Sequence, residues 1–243
     1  NNNYIKTIYI DWGKISEDSY LREISTLNSL TELEFENRIT FFVGENGTGK
    51  STLLEAIAVA YGFNPEGGNL NYKFSTYDDV SELCEAIKLS KGYKRPRGSY
   101  FFRAESFFNL ASKMEEYRDI TPKEDFYRRY NGKSLHEQSH GESFLSFFQS
   151  INDEGLYIMD EPEAALSPQR QLTLLLEIIK MRDAGAQFII ATHSPILLGI
   201  PDVCIYSFAD NEIKQCEYEE TDCYVIMKLF LENREMLLNK LLK

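Results

Sequence analysis

The chain has 243 residues, with 26 Lys or Arg against 38 Asp or Glu and a formal net charge of -12. With 43% hydrophobic and 26% charged residues, its composition excludes a disordered, collagen-like or low-complexity protein. The negative charge disfavours nucleic-acid binding except through a local basic patch. No apolar run approaches the ~18 residues of a membrane helix, and no secretory signal is visible at the N-terminus, which begins with Asn. We therefore expect a cytoplasmic protein with reduced cysteines.

The pattern of apolar residues predicts strands that alternate with helices. Residues 4–10 and 31–35 alternate apolar and polar side chains, as half-buried strands do. Residues 38–43 (RITFFV) form the continuous run typical of a buried parallel strand. A glycine-rich turn then separates this strand from a predicted helix at 50–61. The remaining predicted elements are strands at 156–159, 187–192 and 203–208, a helix at 168–184 and a C-terminal docking helix at 224–242.

Over residues 70–148, between the predicted helix at 50–61 and the predicted strand at 156–159, the sequence changes to short helical patterns mixed with aromatic residues. An α/β core interrupted by one such segment predicts a single domain, with a core lobe of about 1–69 and 151–243 and an inserted, mostly helical lobe of about 70–150. A basic stretch, 88–97, lies in this predicted lobe. Charge runs are usually solvated surfaces, so we favour that interpretation over contact with nucleic acid.

A phosphate-binding loop follows the first buried strand and precedes the helix, as the motif G-x-x-x-x-G-K-[ST] requires. Its residues are Gly44, Glu45, Asn46, Gly47, Thr48, Gly49, Lys50, Ser51 and Thr52. Glycines let the backbone wrap around phosphates, so that N–H groups and the positive helix end face the anion. Lys50 can then reach the β- and γ-phosphates, and the Ser51 hydroxyl can hold Mg²⁺. By chance, the pattern should match about one in a hundred chains of this length. The motif therefore predicts a nucleotide site.

A pair of carboxylates follows the strand at 156–159, in the sequence LYIMDEP. The strand end places Asp160 at the carboxyl edge of the sheet, beside the phosphate loop. There Asp160 can hold Mg²⁺, directly or through water, and Glu161 can polarise the attacking water. In isolation such a pair would be a solvated turn. Its place after a phosphate loop favours the functional interpretation.

Two further motifs complete the candidate site. His193 ends the strand in FIIATHSP, and at that edge we interpret it as a sensor of the γ-phosphate, although isolated strand-end histidines are more often structural. The segment 139–143 (SHGES) precedes an apolar helix, so its backbone N–H groups can face a second anion. Without the other motifs it would be merely a capped helix start.

In this order, the four motifs resemble those of the ATP-binding cassette (ABC) ATPase superfamily. GENGTGKST resembles its Walker A motif, SHGES its signature, MDEP its Walker B motif, Ala165-Leu166-Ser167 its D-loop and ATHSP its H-loop. The strings FFRAESFF, LHEQSHGES and DEPEAALSPQRQ are similar to a family of small stand-alone ATPases. These are often labelled AAA-type but belong with the SMC- and RecF-like ABC branch.

The resemblance implies a P-loop NTPase fold that binds ATP and Mg²⁺ and forms a head-to-head dimer with ATP between the protomers. Each ATP would contact Walker A of one chain and Ser139, Gly141 and Glu142 of the other. One feature departs from the superfamily, because no glutamine stands between Walker A and Gln138 to serve as the Q-loop. Glu105 is the nearest analogue in position, as a metal or water contact, and a buried or capping carboxylate is the alternative.

Three functions remain open at the level of sequence. The first is an ATPase whose dimerisation acts as a switch, alone or with an unknown effector protein. The second is the energy subunit of an ABC transporter. The missing Q-loop glutamine and the altered signature weigh against this function, and therefore also against a membrane partner. The third is an ATP-dependent interaction module in DNA repair or defence with little turnover, which the presence of Glu161 and His193 weighs against.

Overall fold

The computed structural model describes residues 2–69, 82–103, 140–151 and 154–242, with residues 140–143 and 165 described through their backbone alone. The strands in these ranges are β1 (Ile5–Ile10), β2 (Glu32–Glu34), β3 (Ile39–Gly44), β4 (Gly68–Asn69), β5 (Ile87–Lys91), β6 (Gly98–Arg103), β7 (Gly155–Asp160), β8 (Gln187–Ala191), β9 (Cys204–Ala209) and β10 (Glu212–Gln215). The helices are α1 (Ser25–Asn28), α2 (Lys50–Tyr61), α3 (Glu82–Ala86), α4 (His140–Ser150), α5 (Pro168–Asp183), α6 (Pro195–Leu198) and α7 (Asp222–Leu241).

A large mixed sheet organises these elements. Its seven strands run in the order β10-β9-β3-β8-β7-β6-β4. The five strands from β9 to β6 are parallel, and β10 and β4 are antiparallel to their neighbours at the two edges. A second, antiparallel sheet has the order β2-β1-β5. The predicted α/β class with a mixed sheet is confirmed, and the carboxyl ends of the five parallel strands meet at one edge, where ligands of such sheets bind.

The apolar runs of the central strands are continuous because both faces of the large sheet are covered. Neighbouring residues of β3 point to opposite faces. Phe41 packs in a cluster with side chains of α4 and α5, whereas Phe42 packs in a cluster with α2 and the small sheet. Both are fully buried. This double burial explains why the strand lacks the polar alternation of a half-exposed one.

A buried glutamine joins the two sheets. The Gln187 side chain, at the start of β8, accepts hydrogen bonds from the backbone N–H groups of Tyr4 and Ile5 at 2.8 and 2.9 Å. It also donates to the Ile5 carbonyl at 2.9 Å. These bonds satisfy backbone groups that would otherwise be unpaired in the core. They therefore fix β1 beside the central strand β8.

Most predicted elements lie where the sequence indicated, and helix α2 matches its predicted bounds of 50–61. Residues 82–103, which the sequence assigned to the helical lobe, contribute β5 to the small sheet and β6 to the large one. Much of the rest of that predicted lobe, 70–81 and 104–139, lies outside the described residues. The division into core and inserted lobes therefore stays a prediction.

The C-terminal helix forms as predicted, but it does not dock as predicted. None of the residues of α7 is buried against the described part of the chain, and its backbone departs from helical geometry at Asn233 (φ -132°, ψ 36°). Its exposed apolar side chains are those of Val225, Ile226, Met227, Leu229, Phe230, Leu231, Met236 and Leu241. Among the described helices, this one included, none has both the length and the apolar character needed to cross a membrane.

Candidate nucleotide site

The phosphate loop connects the end of β3 to the start of α2. Gly44, Gly47 and Gly49 have φ angles of +142°, +82° and +90°, which side chains of L-residues strongly disfavour. A Cβ atom on Gly44 would lie 2.5 Å from the Phe208 carbonyl oxygen, and one on Gly49 would lie 2.8 Å from a Leu27 methyl carbon. Gly44 and Gly49 therefore require glycine for close packing as well as for backbone conformation, whereas Gly47 requires it for conformation alone.

Lys50 lies beneath this loop and is only 5% exposed. Its Nζ donates hydrogen bonds to the carbonyl oxygens of Gly44 and Glu45, both at 2.7 Å. Burial lowers the pKa of Lys50, while the nearby carboxylates of Glu161, Asp160 and Glu163 act in the opposite direction. An ammonium group has three donor hydrogens, and the loop carbonyls take two of them. The lysine thus braces the loop around the place where phosphates would lie.

Ser51 and Asp160 come together at the start of α2 and the end of β7. The Ser51 hydroxyl donates to Asp160 Oδ1 at 3.0 Å. Burial raises the pKa of Asp160, the Ser51 hydrogen bond opposes this, and the negative charge of Glu161 adds to it. Hydroxyl and carboxylate oxygens fit Mg²⁺, which proteins typically bind through one or two carboxylates together with substrate phosphates.

Glu161 and His193 follow the ends of the neighbouring strands β7 and β8. Glu161 has left-handed backbone angles (φ 47°, ψ 53°), and its N–H donates to the Ala191 carbonyl at 2.9 Å. This turn brings Glu161 Oε1 within 3.5 Å of His193 Nε2, with the two side chains 44% and 40% exposed. The two predicted hydrolytic residues are therefore adjacent and open to solvent.

Two residues of the site were missed by the sequence interpretation. Glu163 Oε1 accepts a hydrogen bond from the His193 backbone N–H at 2.6 Å. Arg103, opposite Asp160 in the β6–β7 register, forms an ion pair with Glu55 of α2 at 2.8 Å and donates to the Pro65 carbonyl. Both contacts join residues that are far apart in the chain. In the sequence, Glu163 and Arg103 are signalled by no more than their place in the strings DEPE and FFRA, next to residues of the predicted site.

Comparison with known proteins identifies the family. The model described as an AAA domain (AAA_23) matches residues 20–175 of this chain. The chain belongs to this family. A Methanocaldococcus jannaschii protein provisionally named an ABC transporter ATP-binding protein is 24% identical over 231 residues, covering 83% of this chain and 81% of its own. A Methanosarcina acetivorans protein with the same provisional name is 26% identical over 200 residues, covering 72% of this chain and 70% of its own.

A solved structure supports the same conclusion for the fold. It is an inward-facing conformation of a provisionally assigned metal-chelate type ABC transporter, with a TM-score of 0.51 at 14% identity. The match covers 93% of this chain and 88% of that chain. At such low identity it bears on the fold alone. The family match, the two archaeal relatives and the motif resemblance together make this chain an ABC-superfamily ATPase.

The remaining predicted contacts of this ABC-superfamily ATPase fall largely outside what the structure describes. Ser139 and Glu105 lie outside the described residues, and Gly141 and Glu142 are described only as backbone in the first turn of α4. Their roles stay predictions. In the D-loop segment, Ser167 caps α5 by accepting a hydrogen bond from the Arg170 N–H at 3.4 Å.

Proposed function

We propose that this ABC-superfamily ATPase binds and hydrolyses Mg·ATP, and that ATP held between two copies of the chain acts as a molecular switch. One observation carries the proposal. The phosphate loop, the Ser51–Asp160 pair and the Glu161–His193 pair converge at the carboxyl edge of the five parallel strands. This combination supplies phosphate binding, metal ligands and a group to activate water in one place.

Each part of the site has a distinct role in the proposed reaction. Backbone N–H groups of the loop, the N-terminus of α2 and Lys50 hold the β- and γ-phosphates. Ser51 and Asp160 would hold Mg²⁺, which would neutralise charge on the phosphate oxygens. Glu161 orients and polarises the attacking water. His193, 3.5 Å from Glu161, contacts the γ-phosphate, so the pair links water activation to the presence of a triphosphate.

The dimer part of the proposal depends on the signature segment. From the family resemblance, Ser139, Gly141 and Glu142 of one protomer contact the ATP bound to the other. The exposure of Glu161 and His193 supports this arrangement, because a second protomer can cover them and exclude water other than the reacting molecule. The cytoplasm, as the main location of ATP, is the proposed compartment.

A second candidate function is the energy subunit of a membrane transporter. The provisional names of the two archaeal relatives favour it, and it would supply the membrane partner that the sequence alone argues against. Nucleic-acid binding has less support. In the basic stretch, Lys88 pairs with Asp11 at 4.0 Å, Lys94 pairs with Glu154 at 3.4 Å, and Lys91 lies 4.4 Å from the Tyr61 ring centre.

ATP binding and turnover with the Lys50→Ala variant test the proposed function. Loss of a charge-assisted phosphate contact worth about 1.5–3 kcal/mol should weaken ATP·Mg binding by about tenfold to a hundredfold in calorimetry. The exposed Lys214→Ala variant is the matched control and should bind as the parent does. Parental turnover should require Mg²⁺ and stop with EDTA. Unchanged affinity in Lys50→Ala would refute the phosphate-loop assignment, and stimulation by membranes carrying a partner would favour the transporter function.

A further inference from the structure

Glu163 links the two strand ends that carry the proposed hydrolytic residues. It lies in the short turn Pro162–Ala165 after β7, yet its carboxylate holds the backbone of His193 after β8, with 2.6 Å between Oε1 and the His193 nitrogen. We propose that Glu163 is a positioning residue that sets His193 relative to Glu161. The consequence for hydrolysis rests on the proposed function.

The turn that carries Glu161 needs such support because its backbone is strained. A left-handed conformation is unfavourable for a residue other than glycine and persists only where the surroundings hold it. Here the Glu161 N–H donates to Ala191 at 2.9 Å and its carbonyl accepts from the Ala164 N–H at 3.1 Å. The Glu163 side chain adds a third hydrogen bond, to His193. Of the three bonds, the one within the turn joins Glu161 and Ala164, and the other two join the turn to Ala191 and His193 at the end of β8.

His193 depends on its backbone for its position because its side chain is 40% exposed. A hydrogen bond to a charged acceptor is stronger than an ordinary bond between neutral backbone groups. On its other side, Ser194 is fixed by the hydrogen bond from its N–H to Thr192 Oγ1 at 3.0 Å and by the one from its hydroxyl to Gln171 at 2.6 Å. With Glu163 in place, the loop is held on both sides of His193.

The two oxygens of Glu163 distinguish positioning from direct catalysis. Oε1 accepts the His193 N–H, and Oε2 is buried with no hydrogen-bond partner among the described residues. A general base or a metal ligand must present an oxygen to the reacting groups. The bond of Oε1 to His193 and the shielding of Oε2 from solvent therefore favour a positioning role for Glu163. A glutamine has the same shape and an Oε1 acceptor, so it should preserve the contact, whereas alanine removes it.

Steady-state ATP hydrolysis by Glu163→Ala and Glu163→Gln tests this role. A misplacement on the order of an ångström can cost up to about a hundredfold in rate, so we expect kcat of Glu163→Ala to fall about tenfold to a hundredfold. Its KM should stay within about twofold, because Lys50 and the loop still bind phosphate. The kcat of Glu163→Gln should stay within about threefold of the parental value. The exposed Glu212→Ala variant is the control, and its kcat should equal that of the parent. Parental kcat in Glu163→Ala, or equal losses in both Glu163 variants, would overturn the proposal.

A second measurement does not depend on hydrolysis. In the ligand-free protein, the His193 amide should show a downfield proton shift and slow hydrogen exchange in ¹H–¹⁵N NMR spectra. Glu163→Gln should retain slow exchange, and Glu163→Ala should lose it while amides of α5 stay unchanged. An unaltered His193 amide in Glu163→Ala would overturn the positioning role of Glu163, whether or not the parent hydrolyses ATP. Absence of ATP turnover in the parent would refute the proposed function and leave the amide test valid. If Glu163→Ala does not fold, fast exchange of the His193 amide in Glu163→Gln has the same consequence.

Discussion

Lys50 and Asp160 are ionisable residues in a partly dehydrated site. Burial shifts the pKa of each in the direction that favours the neutral side chain. The pKa of Lys50 is lowered and that of Asp160 is raised, and each residue opposes the shift of the other. Neighbouring carboxylates leave this edge of the sheet with more acidic than basic groups. A bound divalent cation would relieve that imbalance, which is consistent with the proposed need for Mg²⁺.

Replacing Asp160 with asparagine should stabilise the ligand-free protein at neutral pH. Folding raises the pKa of Asp160, so its ionised form is less favourable in the native state than in the unfolded chain. This penalty is present at neutral pH and fades as the pH falls through the raised native pKa. Thermal unfolding in EDTA should therefore show Asp160→Asn with a higher Tm, by about 2–4 °C for each kcal/mol gained.

The pH series supplies the control for this variant. The Tm advantage of Asp160→Asn should narrow steadily as the pH is lowered, because the parent becomes protonated at the same site. The exposed Asp183→Asn variant, on α5, should not show such a trend. A lower Tm for Asp160→Asn at neutral pH, or an advantage independent of pH, would contradict the burial argument.

The sequence predicted that residues of contiguous motifs converge at one sheet edge, and the structure brings them together there, while their roles stay predictions. Gly44 to Thr52, Asp160, Glu161 and His193 each stand beside a buried strand, so their convergence follows from a parallel sheet. The contact between Glu163 and His193 could not be inferred, because it joins positions 30 residues apart through a side chain that no motif singles out. The same is true of Gln187, whose partners in β1 are more than 180 residues away.

At the scale of elements, apolar periodicity identified the helices and strands better than it identified their neighbours. The continuous run in β3 correctly indicated burial on both faces. In α7, helical spacing predicted the element, but no residue of the helix is buried against the described part of the chain, where docking was expected. Periodicity reports that an apolar face exists and says nothing of what covers it.

Charged substitutions on α7 should leave the stability of the chain nearly unchanged. Ile226 and Leu231 are 66% and 72% exposed, so Ile226→Glu and Leu231→Glu remove little packing, and surface changes typically stay within about 0.5 kcal/mol. Leu174→Ala is the buried control and should cost about 2–5 kcal/mol. Chemical denaturation monitored by circular dichroism gives both values. Glutamate variants as unstable as Leu174→Ala would mean that α7 is packed in solution.

At the scale of the whole molecule, the large sheet brings the phosphate loop after β3 and the residues that follow β7 and β8 to one edge. The clusters on its two faces anchor α2 on one side and α4 and α5 on the other, so the site is built on rigid elements. This architecture was predictable, because motif order and strand–helix alternation agree. The places of β5 and β6 in the two sheets were not, because both strands lie in a stretch that the sequence assigned to a mostly helical lobe.

The solvent exposure of Glu161 and His193, the proposed hydrolytic pair, is the feature that supports a second protomer at the site. Glu161 and His193 lie at the surface, and the signature segment that would complete an ATP site is expected from a second copy. If Glu161 activates water, Glu161→Gln should retain the phosphate and metal contacts while hydrolysis falls by about 10²–10⁴. Bound ATP would then persist and hold the two protomers together.

Light scattering behind a sizing column, applied to Glu161→Gln with ATP and with ADP, tests the central claim most directly. We predict a dimer with Mg·ATP and a smaller species with Mg·ADP. Adding Ser139→Arg to that variant should abolish the dimer while ATP binding by the monomer is nearly retained, since a bulky side chain would stand where the γ-phosphate must approach. A Glu161→Gln protein that stays monomeric with saturating ATP, or that hydrolyses ATP at the parental rate, would contradict the account.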